Sequence, residues 1–247
     1  MMYVGETDPG VWHIELRRPE KRNALGVADY AALADALERI GASPDARAVV
    51  LSGRGNSFCA GNNLAEFKTH WPQSLDGPLM RFLNALSAAT VPVIAAIQGA
   101  AIGIGATMLL HCDIVIAASD AFLQFPFVDR GIAPEAASSL LLPLRIGYGR
   151  TMELFLTGRR VEAEEAVTLG LVTRVLKEQS PDQAALEVAR LVAAKPSLAV
   201  RATKHLVRSR LAESMAACFA EEIGTINRLL LSERGETGTN NHTSVVT

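Results

Sequence analysis

Two parts of the chain share one hydropathy pattern, an apolar run that leads through glycine into a second apolar stretch. They span residues 48–64 and residues 92–107. In each, the first run predicts a short buried strand and the second run predicts the beginning of a helix. The first N–H groups of a helix lack partners inside it and lie at the positive end of the helix dipole. Two such turns facing one pocket predict a site that stabilises a negative oxygen without a charged side chain.

The rest of the chain alternates between strand and helix patterns. Strands are predicted at residues 11–16, 113–118, 121–125 and 172–176, and helices at residues 29–40, 79–89, 101–112, 151–157, 163–169 and from Pro134 onward. This alternation predicts an α/β fold with largely parallel strands. From Pro181 the pattern is helical with an interruption at Pro196, and residues 68–77 are predicted to be a mobile loop. Residues 232–247 are polar, lack periodicity and are predicted to be a disordered tail.

Composition and charge narrow the class of protein. A hydrophobic fraction of 49% in 247 residues supports a packed core and one large domain, with or without an appendage. The 24 basic and 26 acidic side chains leave the protein nearly neutral, which argues against broad nucleic-acid binding. No apolar stretch is typical of a membrane span, and residues 1–8 do not resemble a signal peptide.

The cysteine and histidine positions predict no metal site. Cys59, Cys112 and Cys218 have no spacing typical of a zinc site or of a disulfide framework. Cysteines without such pairing fit a reducing compartment, so we expect a cytoplasmic protein. His111 has no second ligand at a suitable spacing, so it is predicted to pack or to cap a helix.

A series of motifs in fixed order carries a family resemblance. The motifs are RPEKRNAL at residues 18–25, FCAGNNL at 58–64, AIGIG at 101–105, CDI at 112–114, LTGR at 156–159, AEEA at 163–166 and GLV at 170–172. Each motif is unspecific alone, but the ordered series, over residues 11–208, closely resembles the enoyl-CoA hydratase/isomerase (crotonase) superfamily.

The resemblance implies an architecture and a substrate class. The architecture is an α/β spiral of ββα turns with a helical C-terminal trimerisation region. The spiral core with the acyl-CoA site is expected in residues 1–183, and the helical region in residues 184–231. We expect a homotrimer, or a hexamer formed as a dimer of trimers. The expected substrate is an acyl-CoA thioester, with no separate cofactor because CoA is part of the substrate, and no nucleic-acid or membrane partner is expected.

The resemblance also assigns candidate site residues. The backbone N–H groups of Asn62 and Ile104 match those that hold the thioester oxygen as an enolate. Position 104 is usually glycine in the family, so the Ile104 side chain is expected to narrow the acyl pocket. The residues expected to contact substrate are Arg22, Ala24, Ala60, Gly105 and Phe127, with the Ala24 backbone near adenine. The candidates for CoA phosphate contacts, or alternatively solvated charges, are Arg17, Arg18, Lys21, Arg22, Arg201, Lys204 and Arg208.

The carboxylates decide which reaction the resemblance favours. The two glutamates of the family's hydratases fall at Thr107 and Phe127, so both are absent and efficient hydration is not expected. Glu135 lies in a series, PF at 126–127, PE at 134–135 and SS at 138–139, that resembles peroxisomal-type Δ3,Δ2-enoyl-CoA isomerases. Their single glutamate moves a proton from C2 to C4 in fatty-acid breakdown. Apolar neighbours would raise the pKa of such a carboxyl group and make the proton returnable.

Other interpretations stay open at the level of the sequence. Glu135 follows Pro134, and an acidic residue in the first turn of a helix stabilises the helix without any catalytic role. The chain could also be another enolate-stabilising enzyme, such as a weak hydratase or a thioesterase. A different class is a non-catalytic relative that binds acyl-CoA or RNA.

Overall fold

Ten strands form the framework of the protein in the computed structural model, which describes residues 2–66 and 73–239, with side chains through Ser232. In chain order they are β1 (Met2–Asp8), β2 (Val11–Leu16), β3 (Ala48–Gly53), β4 (Ser57–Cys59), β5 (Val93–Ile97), β6 (Ala100–Ile102), β7 (Ile114–Ala118), β8 (Phe122–Gln124), β9 (Arg160–Glu162) and β10 (Arg174–Leu176). One sheet has the order β1-β2-β3-β5-β7-β10, and the other has the order β4-β6-β8-β9.

From β3 to β8, consecutive strands alternate between the two sheets. Each of the pairs β3–β4, β5–β6 and β7–β8 gives its first strand to the larger sheet and its second strand to the smaller sheet. Successive strands within each sheet then pair in parallel, whereas β1–β2 and β8–β9 are antiparallel. β3 and β5 are buried at every position, which agrees with their mainly apolar sequences, in which Ser52 of β3 is the polar side chain. This is a spiral of ββα turns, and the predicted α/β fold is confirmed.

Helices cover both faces of the larger sheet. They are α1 (Val27–Ala42), α2 (Pro78–Ser87), α3 (Ile104–Thr107), α4 (Ser138–Ile146), α5 (Tyr148–Thr157), α6 (Ala163–Thr168), α7 (Pro181–Ala193), α8 (Ser197–Arg208) and α9 (Ala212–Thr239). Short 3₁₀ helices lie at Pro19–Lys21, Met108–His111, Val128–Arg130 and Ser209–Leu211. On one face, small residues of α7 (Ala184, Ala185 and Ala189) pack against Val50 and Ile94. α1 and α2 belong to the main core on the other face.

Several predicted elements and boundaries differ from the structure. Residues 101–112 do not form one helix: strand β6 comes first, then α3 and the 3₁₀ helix Met108–His111. Almost every residue in this stretch is buried, so no periodicity distinguishes a strand from a helix. In the two turns that carry Asn62 and Ile104, the helix follows the second strand of the pair, whereas the sequence predicted that it follows the first strand. The antiparallel strand β1 is also absent from the predicted elements.

The end of the chain also differs from the prediction. α9 continues to Thr239, so the predicted tail boundary at Ser232 is not where the helix ends. Residues 240–247 lie outside the described residues, as do residues 68–72 of the predicted loop at 68–77. No helix in the described ranges has the length and apolar character needed to cross a bilayer.

Gly105 offers a test of how closely the spiral turns pack. A Cβ at Gly105 would clash with the carbonyl oxygen of Cys59 in β4, and backbone cannot move aside cheaply. We expect Gly105→Ala to lower the free energy of unfolding by about 1–3 kcal/mol, as overpacking does. Denaturant unfolding followed by circular dichroism measures the change.

The matched control is Gly149→Ala in α5, where a Cβ would meet nothing within 4 Å. This substitution is expected to be neutral or to stabilise by up to about 1 kcal/mol, since alanine is the better helix former. Equal losses in both variants would contradict the close-packing explanation.

Candidate active site

Two turns bring unpaired backbone donors to one place. Asn62 follows β4 through Gly61, and Ile104 is the first residue of α3, after Gly103. Both glycines have positive φ, 96° at Gly61 and 55° at Gly103, which favours glycine. Within residues 2–66 and 73–239, no hydrogen bond uses the N–H of Asn62 or of Ile104. Both donors are therefore free to bind an oxygen in the adjacent cavity.

Hydrogen bonds to the preceding loop fix the Asn62 turn. The N–H of Leu25 donates to the carbonyl of Gly61 at 2.8 Å, and the N–H of Asn63 donates to the carbonyl of Leu25 at 2.8 Å. The Tyr30 hydroxyl donates to the Asn62 side-chain oxygen. Tyr30 is buried, and burial is the main reason that its pKa lies well above 10, so the phenol remains a donor.

Buried Asn23 holds the same loop onto β4. Its side-chain nitrogen donates to the carbonyl oxygens of Arg54 and Ser57, at 3.0 and 2.8 Å. Its side-chain oxygen accepts the N–H of Arg18 at 2.8 Å. Asn23 was not among the predicted site residues, although it lies inside one of the motifs that carry the resemblance. Its part in the site is to position the turn.

Glu135 is a buried acid with one oxygen unpaired. Its side chain is 4% exposed, and Oε1 accepts a hydrogen bond from the Thr107 hydroxyl at 2.7 Å. Oε2 is buried and has no hydrogen-bond partner among the described residues. Burial raises the pKa of Glu135 to about 8; the Thr107 hydrogen bond opposes this rise, and the charge of Glu222 adds to it. Glu135 can thus gain or lose a proton near neutral pH.

The backbone after Glu135 has an unusual conformation. Ala136 and Ala137 both have left-handed φ angles, 61° and 53°, which are costly for residues with a Cβ. α4 begins only at Ser138. Glu135 therefore does not lie in the first turn of a helix, and the helix-start interpretation of the Pro134-Glu135 pair is wrong.

His111 supports this strained segment. Its Nε2 lies 2.8 Å from the carbonyl oxygen of Ala136, and its ring packs against Phe219 with centroids 5.9 Å apart. Burial lowers the pKa of His111 to about 4, so the ring is neutral at physiological pH and Nε2–H is the donor. The packing of the ring on Phe219 is consistent with the prediction that His111 packs or caps a helix.

A cavity of about 1080 Å³ joins these groups. The predicted residues that line it are Glu135, Asn62, Ile104, Ala24, Ala60 and Phe127. Arg22 and Gly105 do not line it: Arg22 is exposed and its carbonyl accepts the Ala60 N–H, whereas Gly105 packs on Cys59. Lining residues that the sequence did not indicate include Ile226 and Leu230 of α9, with Arg130 and Ile132.

Most of the predicted basic candidates contact protein groups. Lys204 is buried, and its Nζ lies 2.6 Å from Asp113 and donates to the carbonyl of Val91 at 2.8 Å. Lys204 is therefore not part of a solvated helix face. Arg201 donates to the Thr90 hydroxyl at 2.6 Å. Lys21, by contrast, lines the cavity and is exposed, which keeps it as a candidate for phosphate contact.

Cys59 lies next to the Asn62 turn but does not act as a nucleophile in this geometry. It is fully buried, and burial raises the pKa of its thiol to about 12. The thiol is therefore protonated at physiological pH and serves as a small apolar side chain.

Comparison with known proteins gives one consistent family. The family model described as enoyl-CoA hydratase/isomerase matches residues 6–241. The chain is 36% identical, over 83% of its length and 80% of the relative's, to the peroxisomal Delta(3,5)-Delta(2,4)-dienoyl-CoA isomerase of Arabidopsis thaliana. It is 37% identical, over 72% of both lengths, to a probable enoyl-CoA hydratase of Mycobacterium tuberculosis. The solved enoyl-CoA hydratase/isomerase of Pseudoalteromonas atlantica is 36% identical, with a TM-score of 0.88 over 100% of this chain and 99% of that one.

The protonation of Glu135 predicts a pH-dependent stability. Its pKa is about 8 in the folded protein and 4.5 in an unperturbed glutamate. Below about pH 4.5 the carboxyl group is protonated in both the folded and the unfolded protein. Between pH 4.5 and about 8 it is protonated mainly in the folded protein, so the free energy of unfolding falls as the pH rises through this range. We expect Glu135→Gln to remove this loss, which amounts to at most about 1.4 kcal/mol per pH unit.

Denaturant unfolding at pH 5, 7 and 9 measures the difference between wild type and Glu135→Gln. The gain should be smallest at pH 5 and largest at pH 9. Glu164→Gln, at an exposed position of α6, is the control and should show no such trend. A pH-independent difference for Glu135→Gln would contradict the raised pKa.

Proposed function

The chain belongs to the enoyl-CoA hydratase/isomerase family, the crotonase superfamily, and from that premise we propose that it isomerises 3-enoyl-CoA thioesters to 2-enoyl-CoA thioesters. One observation carries the proposal. A single buried carboxyl group, Glu135, lines the cavity that the free N–H groups of Asn62 and Ile104 also line, and its Oε2 is unpartnered among the described residues.

The proposed reaction needs one base and one site for a negative oxygen. The thioester oxygen accepts hydrogen bonds from the two backbone N–H groups, so the dienolate that forms on removal of a C2 proton is stabilised. Glu135 Oε2 takes that proton and returns it to C4, and the double bond moves from C3–C4 to C2–C3. C2 and C4 lie about 2.5 Å apart, two carbon–carbon bonds away, so one carboxyl group can serve both. A pKa of about 8 suits a group that must both accept and release the proton.

The same geometry disfavours hydration. The positions that hold glutamates in the family's hydratases hold Thr107, which is hydrogen-bonded to Glu135, and Phe127, which packs against Phe155 with centroids 5.9 Å apart. Neither side chain can deprotonate a water molecule. Phe127, which lines the cavity, also makes this part of the site apolar, and this works against water as a competing reactant.

A second candidate is a dienoyl-CoA isomerase, the activity named for the Arabidopsis relative. Moving both double bonds of a 3,5-dienoyl chain shifts a proton from C2 to C6, about 5 Å away, which favours two proton-transfer groups. Among the described cavity-lining residues the other carboxylate is Glu20, which is exposed in the 3₁₀ helix Pro19–Lys21. This exposure makes Glu20 a poor partner in proton transfer. A weak hydratase, a thioesterase and a non-catalytic acyl-CoA-binding protein remain further alternatives.

A homotrimer, or a dimer of trimers, is also part of the proposal. Support comes from α8, where Leu198 is 84% exposed and Leu206 and Val207 are also exposed. Large apolar side chains grouped on one helix are typical of a surface that another chain covers. The cytoplasmic location and the role in fatty-acid breakdown stay predictions.

The first test uses two substrates. Purified protein is incubated with trans-3-hexenoyl-CoA and, separately, with crotonyl-CoA, and the products are separated by chromatography. We expect conversion of the first to the conjugated thioester and little hydration of the second. Glu135→Gln should lower isomerisation by about 10²–10⁴-fold, the usual contribution of a general base, while the affinity for hexanoyl-CoA stays close to wild type.

The matched control is Glu20→Gln, which removes the other carboxylate of the cavity and should leave isomerisation near wild type. If Glu20→Gln is as inactive as Glu135→Gln, a two-carboxylate reaction replaces the proposal. Equal loss of activity and of hexanoyl-CoA affinity in Glu135→Gln would contradict its role as the base.

The second test is the pH dependence of kcat/KM. Glu135 must be ionised to take the C2 proton, and its pKa is about 8 in the free protein. We therefore expect kcat/KM for the 3-enoyl substrate to rise about tenfold per pH unit below pH 8 and to level off above it. Steady-state rates between pH 6 and 9 measure this, and a flat profile would show that another group is the base.

A further inference from the structure

Glu222 of α9 is a second buried carboxylate, and the proposed reaction does not use it. It is 6% exposed, and both of its oxygens accept hydrogen bonds. Oε2 accepts the N–H of Ala137 at 2.7 Å, and Oε1 accepts the N–H and the hydroxyl of Ser139 at 2.9 and 2.6 Å. Burial raises the pKa of Glu222, and the hydrogen bonds from Ser139, Ala137 and the Cys218 thiol oppose that rise by stabilising the ionised form.

These three hydrogen bonds act on the backbone that presents Glu135. They hold Ala137, which has a left-handed φ of 53°, and the first turn of α4. Left-handed alanines persist only where surrounding contacts enforce them. The carbonyl of Ala136 is held from the other side by His111. Glu222 and His111 together clamp the two residues that follow Glu135.

α9 itself is fixed against the cavity. Ile226 and Leu230 line the cavity one and two turns after Glu222. The Asn227 side chain accepts the N–H of Gln73 and donates to its carbonyl, both at 2.9 Å. α9 is thus joined by polar contacts to Gln73 and to the segment that follows Glu135, where the partner of Glu222, Ala137, lies two residues after Glu135.

We propose that Glu222 is a positioning residue for Glu135: by holding the left-handed segment Ala136–Ala137, it makes the placement of the base depend on the seating of α9. The inference rests on the proposed function of Glu135 as the base. It requires that loss of the Glu222 carboxylate changes the pKa and the catalytic contribution of Glu135, and not only the stability of α9.

The electrostatic surroundings make this measurable as a pH shift. The titratable groups near Glu135 are Tyr30 on α1, Cys59 on β4 and Glu222 on α9, with His111 beside Ala136. The pKa values of Tyr30 and Cys59 lie well above 9 and that of His111 is about 4, because all three are buried. Cys218, which contacts Glu222, has a pKa raised to about 11. When it is ionised, Glu222 is therefore the like charge in this group that raises the pKa of Glu135.

The experiment compares Glu222→Gln with Glu221→Gln. Glu221 is exposed on the same helix, so the control makes the same chemical change without touching the clamp. The ionisation of Glu135 is followed by carbon-13 NMR of protein with carboxyl-labelled glutamate, the signal being assigned by its loss in Glu135→Gln. We expect the Glu135 midpoint to fall by about 0.5–1 pH unit in Glu222→Gln, because a like charge is removed, and to stay unchanged in Glu221→Gln.

Turnover of trans-3-hexenoyl-CoA gives the second measurement. On the high-pH plateau we expect kcat of Glu222→Gln to fall about 5–20-fold with KM within twofold of wild type, because a misplaced base affects the chemical step rather than binding. Glu221→Gln should keep wild-type kcat. A wild-type kcat in Glu222→Gln would overturn the inference even if the midpoint shifts, because removal of a charge shifts the midpoint without any change in the position of Glu135.

The two proposals fail in different ways. If wild type does not isomerise the substrate but the Glu135 midpoint shifts in Glu222→Gln alone, the proposed function fails and the coupling stands. If circular dichroism shows that Glu222→Gln does not fold, Ser139→Ala replaces it. Ser139 is exposed, and this variant removes the hydroxyl that donates to Oε1 and contacts the Cys218 thiol, while the backbone donors to Glu222 remain. That variant should have kcat lowered about 2–5-fold at unchanged KM, and a wild-type kcat would overturn the inference.

Discussion

The contact between β4 and α3 determines the geometry on which the site depends. At Gly105 the backbone of α3 lies against the carbonyl oxygen of Cys59, with no room for a side chain between them. The approach is also close at Gly61, where a Cβ would lie 2.8 Å from the carbonyl oxygen of Ile102. Because the two turns meet backbone to backbone, side-chain motion cannot change the relative position of the Asn62 and Ile104 N–H groups. Donors fixed in this way stabilise developing charge without reorganising during the reaction.

The burial of Glu135 is the second constraint, and it opposes stability. A buried carboxyl oxygen without a partner and two left-handed alanines each raise the free energy of the folded state. The compensating contacts come from three separate elements: Thr107 on α3, His111 in the adjacent 3₁₀ helix and Glu222 on α9. Strain that is supported from several sides is typical of functional positions, where activity is maintained at a cost in stability. The surroundings of Glu135 therefore favour a role in chemistry over a role in helix capping.

The sequence predicted the parts of the site that depend on local pattern or on a motif. The two turns, the buried strands and the position of Glu135 belong to this group, because glycine, apolar runs and motif order are visible in a short window. The beginning of α4 was missed, since Pro134 is typical of a helix start while the left-handed Ala136 and Ala137 leave no mark in the sequence. Glu222 was missed because its partners lie 83 and 85 residues away, and such pairing has no local signal. The continuation of α9 past Ser232 was missed for a related reason: the polar sequence there lacks the apolar period that predicts a helix.

The hydrogen bond between Thr107 and Glu135 gives a physical reason why position 107 holds a hydroxyl group rather than the glutamate of the family's hydratases. The Thr107 hydroxyl oxygen lies 2.7 Å from Glu135 Oε1 and 3.2 Å from the carbonyl oxygen of Gly103, and its one proton can serve only one of them at a time. The hydrogen bond to Oε1 is stronger when Glu135 is ionised, so Thr107 favours the ionised form. In the proposed reaction this leaves Oε2 as the oxygen that exchanges the proton. A glutamate at position 107 would instead bring a like charge close to a carboxyl group that burial already keeps largely protonated at neutral pH. Like charges at that separation cannot both ionise readily, so a carboxylate at 107 would suppress the base form of Glu135. One carboxyl group with a hydroxyl beside it is therefore the arrangement that lets this cavity carry a single base.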